Sequence, residues 1–167
     1  MIPHNKPTLD IEEEQAAQNV VRSGWLAQGS EVENFEREFC HFLGLPDEHA
    51  VAVTSGTAAL FLALWALQAT EKRVAFPAYV CSSLRHAVAM VGGDEVLLDS
   101  SRDSPNLDLN QLVQEEIDLA VIPHLYGLPL DLSSLGNLPI IEDCAQAIGA
   151  KVSGMFVGLQ GKIGIFS

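Results

Sequence analysis

Along the first forty positions the apolar residues recur at helical spacing. From position 49 they gather into short β-rich and helical runs divided by glycine, proline and acidic residues. The leading segment predicts two amphipathic helices. Asp10 followed by Glu13 has the pattern of a capping box, with Ser23-Gly24 as the stop. Ser30 followed by Glu33 predicts a second box, with Val32, Phe35 and Phe39 on one face and Gly44 ending the run. Between the two helices, Gly24-Trp25-Leu26-Ala27-Gln28-Gly29 reads as an exposed loop carrying a large aromatic residue.

Beyond it the pattern predicts strands at His49–Thr54, Arg73–Phe76, Glu95–Asp99, Leu119–Pro123 and Pro139–Glu142. Helices are expected at Thr57–Ala69, Ser83–Val91 and Leu109–Glu116, and Gly154–Ser167 is glycine-rich and β-like. Strands in such an alternation are parallel, buried on both faces and joined by right-handed crossovers. The expected fold is therefore α/β, a three-layer sandwich around a mostly parallel sheet. Residues 1–48 would form an N-terminal helical segment and loop, and residues 49–167 the α/β large domain. Ser55-Gly56-Thr57, Pro77, Asp99, His124 and Asp143 all fall at carboxyl ends of strands, where open α/β sheets bind ligands.

Composition adds limits. At 167 residues, 48% hydrophobic and 19% charged, the chain is globular with an apolar bias. The formal charge is −13, with acids gathered at Asp10–Glu14 and Glu31–Glu38, which disfavours nucleic acid as a partner. A small phosphorylated ligand would need local donors, such as a helix N-terminus. Cys40, Cys81 and Cys144 are too scattered for a disulfide framework or a zinc site. With no signal-peptide pattern, and with Ala58–Ala66 too short to cross a bilayer, the expected location is cytoplasmic.

Three stretches can carry chemistry. In Ser55-Gly56-Thr57-Ala58-Ala59 a tight turn opens an apolar helix and leaves free N–H groups for an anion, beside the Thr57 hydroxyl. Taken alone, the motif is better accounted for by an ordinary strand-to-helix turn with a capping hydroxyl. Asp143, closing the run Ile140-Ile141-Glu142-Asp143, can keep a heterocyclic nitrogen protonated, as pyridoxal phosphate (PLP) requires, or can simply cap the next turn. Glu142 should point to the opposite face and be structural. His124 either lines a site or is a packed, hydrogen-bonded histidine, and Tyr126 and Trp25 either contact a ligand or partner or simply pack.

Taken in order, these segments resemble the DegT/DnrJ/StrS family of nucleotide-sugar aminotransferases. The resemblance runs through Gly24-Trp25-Leu26, Thr54-Ser55-Gly56-Thr57-Ala58-Ala59-Leu60, Pro77-Ala78-Tyr79, His124-Leu125-Tyr126-Gly127, Glu142-Asp143-Cys144-Ala145-Gln146-Ala147 and Gly164-Ile165-Phe166-Ser167. It implies the large domain of the type I PLP-dependent transferase fold, C-terminally incomplete here, and a homodimer sharing its active site. It implies pyridoxal 5'-phosphate as cofactor and an amino group moved, from an amino-acid donor such as glutamate, to a keto-sugar nucleotide. The reaction would be ping-pong and would serve polysaccharide or glycosylated-metabolite synthesis. By position, Gly56, Thr57, Ala58 and Ser167 would hold the phosphate, Asp143 the pyridinium nitrogen, and Gln146 would lie near the ring and its phenolic oxygen.

Two departures accompany the resemblance. Cys81 stands where the family places a ring-stacking aromatic, so Tyr79 or another residue would substitute, or the ring is held less firmly. The family's Schiff-base lysine follows the Phe-Ser pair by a few residues, so it is expected beyond Ser167, and neither Lys151 nor Lys162 holds that position. The chain as given would then bind PLP weakly and turn over poorly. Rival readings are a sugar dehydratase on the same scaffold, with histidine in place of the lysine, and a non-catalytic homologue that binds a ligand or partner.

Overall fold

The computed structural model describes residues 7–167. The chain divides into two compact units, the first running to Ala52 and the second from Val53 to Ser167.

The first unit holds helices α1 (Ile11–Ser23) and α2 (Ser30–Leu43). The Asp10 box forms as expected: its side chain accepts the Glu12 N–H at 2.9 Å, and Glu13 reaches back to the Asp10 N–H at 2.8 Å. Gly24 closes α1 in the left-handed region, at φ 73°. The box expected at Ser30 is absent, because Gly29 takes the N-cap and Ser30 becomes the first helical residue. The cause lies in the preceding loop. The Trp25 indole N–H donates to the Gln28 carbonyl at 3.0 Å, and its ring occupies the space a Gly29 side chain would fill. On α2, Cys40 and Leu43 are buried while Phe35 stays largely exposed and stacks on Phe39.

His49–Thr54, expected as a strand, is not one. The Val-Ala-Val-Thr run has the propensity, but propensity needs a neighbouring strand to pair with. The Ala52 N–H instead donates to the Glu36 carboxylate at 2.7 Å.

The second unit contains α3 (Gly56–Ala66), β1 (Arg73–Pro77), α4 (Ser83–Val91), β2 (Asp94–Leu98), α5 (Leu109–Gln114), β3 (Leu119–Pro123) and β4 (Ile140–Asp143). A short antiparallel pair, β5 (Lys151–Val152) and β6 (Met155–Phe156), precedes β7 (Ile163–Ile165). The main sheet has five strands in the order β2-β1-β3-β4-β7, every pairing parallel. Among the described residues no helix is long and apolar enough to cross a membrane.

Strand alternation divides the core between the two faces. Val74, Phe76, Leu119, Val121, Ile141 and Ile165 pack with α3 and α4 residues such as Leu64, Leu84 and Val88. Ala75, Ala120, Ile122 and Ile140 face the other way, against Leu107, Leu112 and Leu132. Helices on both faces explain the unbroken apolar runs of β1 and β3, which have no solvent side. Phe76 is fully buried, and its truncation to alanine would cost about 3–5 kcal/mol.

The winding of the sheet places the site. From β1 the chain steps outward to β2 through α4 on one face, then returns past β1 to β3 through α5 on the other. The direction of progression therefore reverses between β1 and β3. In a parallel sheet that reversal opens a crevice beyond the strand ends, since the loops there diverge to opposite faces.

Candidate functional site

A cavity of about 460 Å³ occupies this crevice. It is lined by Gly56, Thr57, Cys81, Asp143, Gln146 and Ser167, together with Pro123, His124 and Leu125 from the end of β3. Residues spread from position 56 to 167 thus meet at the carboxyl edge of the sheet.

At the α3 end, Ser55 is the N-cap in extended backbone, and its Oγ accepts the Ala58 N–H at 3.2 Å. The Ala59 N–H goes to the Ser55 carbonyl at 3.0 Å. That leaves the N–H groups of Gly56 and Thr57 as the open donors of the first turn, at the positive end of the helix. A side chain at Gly56 would put its Cβ 2.8 Å from Ser167 Oγ, so only glycine lets the serine hydroxyl close against this turn. Ala58 does not line the cavity, and its N–H is already committed.

At the β4 end, Asp143 follows Ile141 by two residues and shares its face, the face that carries α3. One of its oxygens accepts the Ala145 N–H at 3.1 Å, and the other takes no donor among the described residues. Burial pushes its carboxyl above the usual aspartate range; the Ala145 N–H only partly offsets this. A half-buried carboxyl with one open oxygen gains most from a cationic partner.

Gln146 is oriented by its own hydrogen bond. Its Oε1 accepts the Tyr126 N–H at 2.8 Å, which turns the amide NH₂ away from Tyr126 as a donor for an acceptor oxygen in the cavity. Cys81 presents a thiol at the start of α4. The Ser83 hydroxyl and backbone N–H lower its pKa, outweighing burial and the charge of Asp143. Tyr79, the candidate substitute for a stacking ring, is not among the residues lining the cavity, and its phenol pairs with that of Tyr126 at 2.6 Å.

Glu142 points to the opposite face, as alternation requires, and is fully buried. Its carboxylate accepts from the N–H groups of Gly158 at 2.8 Å, Gln160 at 2.7 Å and Gly161 at 2.6 Å, and from His124 Nε2 at 3.0 Å. Burial alone would raise this carboxyl, but His124 and the backbone donors outweigh it and hold it below the usual glutamate range. His124 Nδ1 accepts the Leu130 N–H at 3.1 Å, so its proton sits on Nε2 and the imidazole is neutral. His124 is thus a packed histidine that also closes one wall of the cavity. His124, Glu142 and Cys144 bring potential ligand atoms within 4.8 Å of one another. Both carboxylate oxygens and both imidazole nitrogens are already engaged, and burial pushes the Cys144 thiol up, so this cluster is structural.

Lys151 places its ammonium over the Phe156 ring at 4.0 Å, and Lys162 borders a second, smaller cavity beside Ile140 at the start of β4. Neither reaches the larger one. The residues missed in the sequence are those without a local signal: Asn106, which is buried and ties down the loop after β3, and the pairing of Tyr79 with Tyr126.

The donor set fits a flat phosphorylated heterocycle. Open N–H groups and two hydroxyls suit a phosphate, the carboxylate suits a ring nitrogen, and the volume lies in the ordinary range for a cofactor of that size. Comparison with known proteins agrees. Residues 7–167 match the DegT/DnrJ/EryC1/StrS aminotransferase family. The GDP-perosamine synthase of Vibrio cholerae is 32% identical over 178 aligned residues, covering all of this chain and 48% of that protein. The sugar aminotransferase CalS13 of Micromonospora echinospora superposes with a TM-score of 0.89 at 27% identity, over 100% of this chain and 49% of that one. The PLP form of Spr1654 from Streptococcus pneumoniae gives 0.92 at 24% identity, over 99% and 48%, and supports the fold. The chain spans about half the length of these relatives. PLP is the cofactor of this family, whose fold is the type I PLP-dependent transferase fold. The chain belongs to the DegT/DnrJ/EryC1/StrS aminotransferase family.

Proposed function

We propose that the protein transfers an amino group from an amino-acid donor, glutamate in the first instance, to a keto-sugar carried on a nucleotide, using pyridoxal phosphate. The observation that carries this reading is that the α3 turn and Asp143 line one cavity. The N–H groups of Gly56 and Thr57, with the Thr57 and Ser167 hydroxyls, would bind the phosphate and fix one end of the ring. Asp143 would hold a proton on the ring nitrogen at the other, its open oxygen accepting that N–H. Gln146 would donate its amide N–H to the ring's phenolic oxygen. When bound, the cofactor supplies an electron sink for the charge that develops beside the transferred nitrogen. The charge of Asp143 strengthens that sink, and the walls formed by Pro123, His124 and Leu125 limit water on one side.

GDP-perosamine synthase supports a nucleotide-linked sugar as acceptor. We place the working enzyme in a homodimer with a shared site. The apolar α3 leaves Leu62 and Trp65 exposed at 43% and 65%, which suits a partner surface.

The test is spectroscopic. Full-length protein reconstituted with pyridoxal phosphate should show the bound cofactor's visible absorbance. Glutamate should bleach that band, and so should one member of a panel of nucleotide-linked amino sugars headed by GDP-perosamine. No band, or a band that no panel member changes, would overturn the reading.

A further inference from the structure

Tyr126 is a bulky residue in left-handed backbone, at φ 56° and ψ 26°, followed by Gly127 at φ 74°. A non-glycine residue keeps this conformation only when its surroundings over-determine it. Here three hydrogen bonds do so. The buried Asn106 accepts the Leu125 N–H at 2.8 Å and donates to the Leu128 carbonyl at 2.8 Å, clamping the turn on both flanks. Gln146 takes the N–H of Tyr126 itself, at 2.8 Å.

The outcome of this clamping is the position of one ring. The Tyr126 phenol meets that of Tyr79 at 2.6 Å, joining the loops after β3 and β1 across the point where the sheet reverses its winding. Both rings stay exposed, at 63% and 56%, so packing does not account for holding them there. Neither tyrosine lines the cavity itself, but their chain neighbours Val80 and Leu125 do, and so does Gln146, which holds the Tyr126 N–H, so the two loops that carry the phenols border it.

We propose that Tyr79 and Tyr126 form the wall that recognises the sugar ring of the nucleotide-linked substrate, with Asn106 and Gln146 as positioning residues for Tyr126. This rests on the aminotransferase reading above. One phenol donates to the other, so the pair offers a single outward O–H and several acceptor lone pairs, all uncharged. That set suits adjacent hydroxyl or carbonyl oxygens on a pyranose. It does not suit an amino-acid carboxylate, which calls for a cation, and among the described residues no lysine or arginine lines the cavity.

The test uses full-length protein loaded with pyridoxal phosphate, in Tyr79→Phe, Tyr126→Phe and the double variant. The readouts are the KM of the reactive panel sugar, the Kd of the cofactor and the melting temperature. Removing either hydroxyl should raise the sugar KM about five- to tenfold. The double variant should be no worse than the poorer single one, because the two hydroxyls act as one unit. Cofactor Kd and melting temperature should stay within experimental spread. A sugar KM within twofold of the unsubstituted protein in both single variants would overturn the proposal. So would a KM rise matched by equal losses in cofactor affinity and melting temperature, since that is a structural role. Absence of the cofactor band in the unsubstituted protein is a different failure, that of the aminotransferase reading, and this inference falls with it.

Discussion

Glutamine at position 142 keeps the shape of the side chain and removes its charge. It should still be costly, for a reason that can be counted. In the carboxylate, Oε1 accepts from the N–H groups of Gln160 and Gly161, while Oε2 accepts from Gly158 N–H and His124 Nε2. A glutamine must put its NH₂ at one of these positions, and either choice turns a donor against two donors. His124 cannot relieve the clash by moving its proton, because Nδ1 would then face the Leu130 N–H. Two buried donors without acceptors cost about 1–3 kcal/mol each, so Glu142→Gln should lose about 3 kcal/mol or more. Hydrogen exchange at Gly158, Gln160 and Gly161 reads this directly: at about 1.4 kcal/mol per factor of ten, exchange should accelerate roughly a hundredfold. The pH dependence gives a second check. A carboxyl whose folded pKa is lowered contributes stability above its unfolded pKa and loses it as pH falls through the folded value. The gap between the two proteins should therefore be full at pH 7 and close below about pH 4, the usual glutamate range. Exchange rates within threefold of each other at pH 7 would mean that the carboxylate does not hold these donors.

Gly56→Ala should separate folding from ligand binding: alanine suits the first helical turn, but its Cβ would displace Ser167 Oγ from 2.8 Å, so melting temperature should hold while cofactor Kd rises about tenfold. Asp143→Asn should also act with two signs. Its raised carboxyl pKa means that the ionised form costs stability above that pKa. The cofactor-free variant should therefore melt higher at pH 7, whereas Kd for pyridoxal phosphate should worsen about ten- to a hundredfold with the loss of a charge-assisted bond. Loss of melting temperature in that variant would contradict the assigned burial. Cys81 should be the first thiol alkylated by iodoacetamide near neutral pH, ahead of the buried Cys40 and Cys144, and pyridoxal phosphate should slow it when followed by peptide mass spectrometry.

What the sequence reveals and what it hides divide along a physical line. Helix α4 falls on its expected residues, Ser83–Val91, and β3 on Leu119–Pro123, because both are set by burial periodicity, which is local. The Asp10 cap is likewise contained in four residues. Ser30 misleads because the Trp25 ring and Gly29 decide where α2 begins, and side-chain packing is not written in a capping motif. His49–Thr54 misleads because strand propensity does not supply a partner. Asp143 is legible as a carboxylate at a strand end and the Gly56 turn as a helix start, although no strand precedes it, and alternation already sends Glu142 to the other face. The backbone donors that Glu142 gathers come from residues 158–161, and Tyr79 lies 47 positions from Tyr126, so neither arrangement has a local trace.

In the proposed enzyme the α3 turn and Asp143 grip the two ends of one ring. The direct measurement is a crystal structure of the full-length protein soaked with pyridoxal phosphate. Phosphate density is expected within hydrogen-bond reach of the Gly56 and Thr57 N–H groups and Ser167 Oγ, with the ring nitrogen beside Asp143. Clear cofactor density elsewhere, or a ring whose nitrogen faces away from Asp143, would contradict it.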